Sequence, residues 1–596
     1  MKSTLVEFLR FQDLETGMLR KGDNYILVAG DRGAQSREMP IHQRPFNKLM
    51  RALRYEESEE KRQQALEEIE RHTSYLLSLD KQKPDRLGLD PAATRLQQLD
   101  LVVNAAELAG LPFEAAEEPG GKLLFQSGAG IVLTRRVRGE FESSRPDWPI
   151  RPRILFVWSD AGGDVPAEEH RSALLDAVGP FLPARAEDRH KVFVEAGKAS
   201  VKDIEEACTE GPFSHVHLLA HGHAVKSDED DRFGIALQGN NVTPEELAVA
   251  FAPLTTSAVV FTLAACDAGN EQDSITPEKS LAHALHASGL PVVIASQLPL
   301  TVPGSNLLVR GFYRDVFAGK DVRSALHNAR VALHEQRDVA GHDWVSLVGY
   351  VRLREGYEDH LQDVRLRSQL AALSNLRDRT EALGAGVEPK QVARIQKQLE
   401  GKIAELKDLL GRTHGDQDAL DENLGLLGSG EKRLAELLFH QVGDEAASRE
   451  ALVRSRGWYR QAFERNPSHH WSGVQYLVLE AALEGAIDAK HWATAYHAAA
   501  VDRQKPSEYW AQGSLAELAL LAPLADGKMD DTADDCLAEM GARVDALDEP
   551  PEYDPRQSTK LQLQRYVQWW RADCGFFGGN PEPCAEAQRL LDLLPD

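Results

Sequence analysis

The sequence predicts an α/β domain with a doubly wound sheet, followed by an all-α helical-repeat domain. Three observations predict it. From about residue 152 to 355, short apolar runs rich in β-branched residues alternate with helical stretches, which is the pattern of a sheet buried on both faces. From about residue 360 the strand signal disappears and apolar residues recur at spacings of three and four. Beyond that, aromatic and small residues recur as they do where helical hairpins stack.

The elements follow in order. Residues 1–150 read as a mixed α/β region belonging to the same unit as the domain that follows: a charged helix at "EESEEKRQQALEEIERHTSYLLSL", a second helix at "AATRLQQLDLVVNAAELAGL" and a short strand at "GIVLTRRV". Residues 151–357 form the α/β domain. Its strands are "RILFVWS", "KVFVEAG", "HVHLLAHG", "AVVFTLAACDAG", "PVVIASQLPL" and "WVSLVGYV", and the intervening runs, such as "AEEHRSALLDAVGPFL" and "TPEELAVAFAPL", read as helices. Residues 358–415 form a helical hairpin in which Ile395, Leu399, Ile403, Leu406 and Leu410 make one apolar stripe. A polar, Gly- and Asp-rich break, "RTHGDQDALDENLGLLGSGEK", then leads into residues 416–596, a degenerate tetratricopeptide-like array.

Composition narrows the function classes. A hydrophobic content of 42% and a charged content of 27% are those of a globular protein, and no run approaches the roughly 18 apolar residues of a membrane helix. The N-terminal "MKSTLVEFLRFQDLETGM" lacks a signal-peptide core, so a cytoplasmic location is expected. The 5 cysteines form no CxxC pair, which argues against a disulfide framework or a cysteine-rich zinc site. A net charge of -25 repels nucleic acid and favours a polypeptide or small-molecule partner.

The stretch "HVHLLAHGHAV", residues 215–225, carries His215, His217, His221 and His223. In an open parallel sheet, functional groups gather beyond the carboxyl ends of the strands. His221 is expected where its strand ends, and Cys266 where "AVVFTLAACDAG" ends. If the two strands are neighbours, about 4.8 Å apart, a thiol and an imidazole meet at one rim. That pairing suits a nucleophile and its base. Gly222 follows the histidine and leaves its backbone N–H approachable, so the N–H groups of Gly222 and Cys266 are candidate oxyanion donors.

The segments "HVHLLAHGH", "VVFTLAACDAG", "SLAHALHASGLPVVIASQLPL", "GFYRDVFAGKDVRSALHNARVAL" and "HDWVSLVGYV" resemble the CHAT family, caspase-like cysteine peptidases found beside tetratricopeptide repeats. The resemblance implies His221 as catalytic acid and base and Cys266 as nucleophile, with oxyanion donors at Gly222 and Cys266. It implies further that Ser296 to Thr301 pairs with the substrate as an added strand, which makes Ser296 and Gln297 substrate-binding candidates. The family usually has tryptophan where this chain has Leu298. Ala264, two positions before the nucleophile, replaces the acidic residue of basic-residue cutters, and no arginine adjoins either motif, so a neutral or apolar preference is expected. Asp267 and His217 complete the substrate-binding candidates; His217 is read chiefly as a packing or supporting residue. No metal or organic cofactor is implied. The partners implied are a specific protein substrate, gasdermin-like or regulatory, and an activator or inhibitor bound by the repeats, in anti-phage defence or programmed cell death.

Other readings stand beside these. The histidines have strand spacing rather than a compact zinc signature, although a metal-dependent hydrolase remains a rival. His215 and His223 are expected to face solvent or a loop. The run "KSDEDDR" reads as an acidic surface loop rather than a cation site. The remaining cysteines, Cys208, Cys536, Cys574 and Cys584, read as structural, and Trp458, Tyr459, Trp471, Trp492 and Trp510 as inter-helix core. A non-catalytic scaffold built on the same two domains is the rival from a different class.

Overall fold

The computed structural model describes residues 1–10, 19–30, 33–53, 57–79, 87–90, 92–102, 106–137, 146–225, 232–266, 281–298, 300–383, 387–412, 417–505, 509–546, 555–570 and 581–594. The chain divides, inside the helix Tyr357–Glu381, into two units, Met1–Ser368 and Gln369–Asp596.

Within the first unit the strands are β1 (Lys2–Arg10), β2 (Asn24–Ala29), β3 (Ala34–Glu38), β4 (Gln97–Val102), the small hairpin β5 (Glu117–Glu118) and β6 (Lys122–Leu123), β7 (Ile131–Arg136), β8 (Ile154–Trp158), β9 (Phe193–Gly197), β10 (His215–Val225), β11 (Arg232–Leu237), β12 (Asn240–Val242), β13 (Val260–Cys266), β14 (Val292–Ser296) and β15 (Leu347–Val351). Apart from the hairpin, they join one 13-stranded sheet in the order β12-β11-β10-β13-β14-β15-β7-β4-β1-β2-β3, with β8 beside β10 and β9 beside β8. Residues 1–150 thus extend the same sheet, joined where Tyr350 of β15 meets Arg135 of β7. The sheet is mixed: β8, β9, β10, β13 and β14 run parallel, whereas β11 and β15 pair antiparallel with β10 and β14.

Helices cover both faces, as a doubly wound sheet requires. On one face Ile204, Leu247, Leu281 and Leu285, from the helices Val201–Thr209, Pro244–Ala250 and Leu281–Ala287, close over Val216, Leu218, Phe261 and Leu263. On the other, the helices Ala167–Val178 and Val302–Phe317 bring His170 and Tyr313 onto His217. Fully burying such apolar side chains contributes about 1.5–3 kcal/mol each.

Two expectations are corrected here. The segment read as a second helix contains β4 instead, with all six strand residues buried. Its polar positions mimic the polar stripe of a helix, yet they are paired across the sheet: Gln98 Nε2 donates to Thr134 Oγ1 at 2.7 Å, and Thr134 Oγ1 donates to Asp100 Oδ1 at 3.0 Å. A strand flanked by β1 and β7 can bury such groups because each finds a partner.

The second unit is helical: Pro389–Arg412, Gln417–Leu437, Glu445–Arg465, His470–Glu484, Ala489–Asp502, Tyr509–Leu521, Ala533–Asp545, Pro555–Trp570 and Pro581–Leu593, most of them packed on sequence neighbours. The Gly/Asp-rich break is the other correction, since from Gln417 onward it is helix. Its glycines allow close packing rather than a turn. A Cβ on Gly425 would lie 2.6 Å from the Trp471 ring, and one on Gly428 would lie 2.8 Å from the Tyr459 ring. Among the aromatic residues read as core, Tyr459 and Trp492 are buried, Trp458 and Trp471 are half-buried, and Trp510 is exposed. Among the described residues no helix is long and apolar enough to cross a membrane.

Candidate active site

β10 and β13 are neighbours, and their parallel register runs from His215 opposite Val260 to His221 opposite Cys266. The two residues singled out from sequence therefore share the last rung of one ladder. Strand alternation puts position 266 on the same face as Thr262 and Ala264, which is also the face of His217 and His221. β10 does not end at His221 as expected; it continues to Val225. β8 flanks residues 215–219 of β10 and then stops at Trp158, and from His221 onward the antiparallel β11 takes its place. His221 stands at this fork.

The loop that leaves β8, "DAGGDVP", folds back over the imidazole. His221 Nε2 lies 3.2 Å from the carbonyl oxygen of Asp164, which can only accept, so Nε2–H donates to it. Gly162 and Gly163 have φ of 92° and 144°, and a Cβ on Gly163 would sit 3.2 Å from Nε2. The loop is fixed from outside, since Gln238 Nε2 donates to Asp160 Oδ1 at 2.6 Å and Lys198 pairs with Asp160 at 3.1 Å. Asp164 acts through a backbone atom, which sequence reasoning missed; the paired glycines were its only signal.

The ladder also orients the proposed oxyanion donors. Ser214 O accepts from Val259 N and Leu219 O accepts from Ser159 N, so even-numbered residues of β10 face β13 and odd-numbered ones face β8 and β11. That alternation makes the N–H groups of Cys266 and Gly222 the donors of the last rungs between β10 and β13.

The segment after β14 is held firmly. Gln297 N donates to Ser346 O at 2.8 Å, and Ser346 Oγ both accepts from Leu298 N and donates to Leu298 O at 2.8 Å. Thr301 caps the next helix by accepting from Gly304 N, while its own N–H and hydroxyl donate to the buried carboxylate of Asp343. Ser296 is half-buried opposite Leu347. The Gln297 side chain is drawn inward, donating to Ala109 O at 2.7 Å and lying 3.4 Å from Arg135, which itself pairs with the buried Glu114.

Two histidine expectations are corrected. His217 is not a substrate contact: it is 0% exposed, bonded to His170 at 3.0 Å and 3.4 Å from the Tyr313 hydroxyl. His215 does not face solvent: it lies buried against Phe317 and Trp148, and desolvation lowers its pKa to about 3. A sheet covered on both faces leaves neither side of these positions in water. His223 lies in β10 and its side chain is outside the described residues, as are Asp267 and residues 226–231 of the acidic run. Cys208 and Cys536 are buried thiols pushed up by desolvation to about 12 and about 11, Cys584 is half-buried, and Cys574 is outside the described residues. Among the described residues, no three metal-capable side chains converge.

Residues 76–355 match the family model described as the CHAT domain, and residues 349–480 match the one described as Tetratricopeptide Repeats-Sensor. No curated protein matches the chain. The first match takes in β4, β7 and every strand from β8 to β15, while β1, β2 and β3 lie outside it. CHAT domains belong to the caspase-like cysteine peptidase clan, and the mixed sheet with helices on both faces agrees with that fold. The chain thus carries a region that matches the CHAT domain, followed by one that matches sensor-type tetratricopeptide repeats.

Proposed function

We propose that this protein is a cysteine endopeptidase with Cys266 as nucleophile and His221 as acid and base. The observation that carries the reading is the shared rung of His221 and Cys266, together with the Asp164 carbonyl on His221 Nε2. With Nε2–H committed to Asp164, Nδ1 accepts the thiol proton. The thiolate adds to the peptide carbonyl carbon, and the resulting oxyanion is stabilised by the N–H groups of Gly222 and Cys266. Collapse expels the amine, which takes its proton from the imidazolium. Water, deprotonated by His221, then hydrolyses the thioester and regenerates the thiol.

Both oxyanion donors belong to the last rungs of the β10–β13 ladder, so that end must open before substrate is bound. This supports an enzyme with low basal activity, acting on a specific polypeptide after a trigger received through the repeats. The neutral or apolar preference rests on sequence, since Ala264 stands where basic-residue cutters carry an acidic residue. Anti-phage defence or programmed cell death is the setting that the family resemblance adds to this proposal.

The test is competitive alkylation of the native full-length protein by iodoacetamide, read by peptide mass spectrometry. Cys266 is expected to react well ahead of Cys208, Cys536 and Cys584, and His221→Ala is expected to remove that lead, with chelator having no effect. Equal reactivity of all thiols, or hydrolysis sensitive to chelator but not to alkylation, overturns the reading.

A further inference from the structure

A chain of hydrogen bonds runs beneath the candidate site and is not used by the chemistry just described. Ser305, His170, His217, Tyr313 and Thr262 are each at most 1% exposed. Ser305 Oγ donates to Val302 O at 3.0 Å, so it accepts from His170 Nε2 at 3.2 Å. His170 Nδ1 is then the acceptor for His217 Nε2–H at 3.0 Å. The Tyr313 hydroxyl lies 3.4 Å from His217 Nδ1 and donates to Thr262 Oγ1 at 2.9 Å. From Ser305 to His217 each ring proton has one consistent place, and a second proton on His170 would set two N–H groups face to face. Desolvation agrees, lowering the pKa of His170 to about 4 and holding that of His217 well below the ordinary value.

The members come from four elements that also carry the candidate site. His217 lies on β10 below His221, on the same face, and Thr262 lies on β13 below Cys266, opposite His217. His170 is in the first turns of the helix Ala167–Val178, which follows the loop whose Asp164 carbonyl holds His221. Ser305 is in the first turn of the helix Val302–Phe317, which follows the segment Ser296–Thr301. Apolar packing alone leaves such elements able to slide by fractions of an ångström. Directional bonds between neutral groups in a dry interior fix them in one arrangement.

Resting on the dyad reading above, we propose that His217, together with His170 and Tyr313, is a positioning residue that holds the His221 strand, the Cys266 strand and the two flanking loops in one register. It touches neither substrate nor the reacting atoms. Its effect is on how well the imidazole and thiol meet, where a misplacement of about 1 Å costs on the order of a hundredfold.

The experiment is the pH profile of Cys266 alkylation by iodoacetamide in the full-length protein, compared among wild type, His217→Leu, His217→Gln, Tyr313→Phe and His221→Ala, with near-UV circular dichroism as the check on folding. His217→Leu is expected to slow the reaction near neutral pH by about tenfold and to move the profile toward that of His221→Ala. His217→Gln, whose amide N–H can still donate to His170, is expected to restore the rate to within about twofold. Tyr313→Phe keeps the ring and loses only the hydroxyl, so it reports in the same direction should the leucine variant fail to fold. Folded His217→Leu or Tyr313→Phe protein with the wild-type profile, while His221→Ala shifts it, overturns the positioning role. No shift in His221→Ala overturns the dyad itself, and the proposal falls with it.

Discussion

Two halves of one strand differ sharply. In the lower half of β10, His215 and His217 are sealed between sheet and helices, and desolvation keeps them neutral. In the upper half, His221 sits where β8 gives way to β11, against a glycine loop whose Asp164 carbonyl accepts from its Nε2–H. The residue type is the same, and position relative to the end of the parallel sheet decides the role. Below the fork an imidazole is a structural hydrogen-bonding group; at the fork it stands on the last rung beside a cysteine.

The comparison is broken most directly by moving the base. His221→Ala is expected to reduce peptide cleavage by about 10²–10⁴-fold without loss of folding, as removal of a general acid–base group does. Retained activity measured on a cleavable partner removes the distinction between the halves. A smaller effect is expected from Gly163→Ala. Its φ of 144° disfavours a side chain, and the added Cβ presses on His221 Nε2. Cleavage is expected to fall about tenfold, with a thermal transition lowered by only a few degrees.

The lower half makes its own prediction through acid. His170 and His215 have folded-state pKa values of about 4 and about 3, below the ordinary 6.5. The unfolded chain therefore binds their protons first, so stability is full above pH 6.5 and falls as the pH drops toward 4. A thermal transition monitored by circular dichroism is expected to decline across that window, and His217→Gln is expected to flatten the decline. A transition constant from pH 7 to 4 contradicts the sealed lower half. The smallest effect is in the second unit, where Gly428→Ala forces the Tyr459 ring to shift and is expected to cost about 1–3 kcal/mol in denaturant unfolding while leaving Cys266 reactivity unchanged.

Much of this was legible in the sequence, for identifiable reasons. The strands β8, β9, β10, β13, β14 and β15 announce themselves because a sheet covered on both faces needs continuous apolar runs, and His221 and Cys266 were singled out from where two such runs stop; β11 and β12, short strands after the acidic run, were not read. β4 was hidden because Gln98 and Asp100, paired with Thr134, imitate a helical polar stripe. The helix Gln417–Leu437 was hidden because Gly425 and Gly428 read as breakers, whereas they make room for Trp471 and Tyr459. The Asp164 carbonyl carries no side-chain signature. His215 was misplaced although the doubly covered sheet already implied that neither of its faces meets water.

The central claim is hydrolysis at Cys266. Its most direct test is co-expression of the full-length protein, and separately of Cys266→Ala, with the proteins encoded beside its gene, read by intact mass and terminal sequencing. The account predicts a cut in one partner, after a neutral or apolar residue, present only with Cys266 intact. A stable complex formed equally by both forms, with the partner uncut, contradicts it and establishes a scaffold.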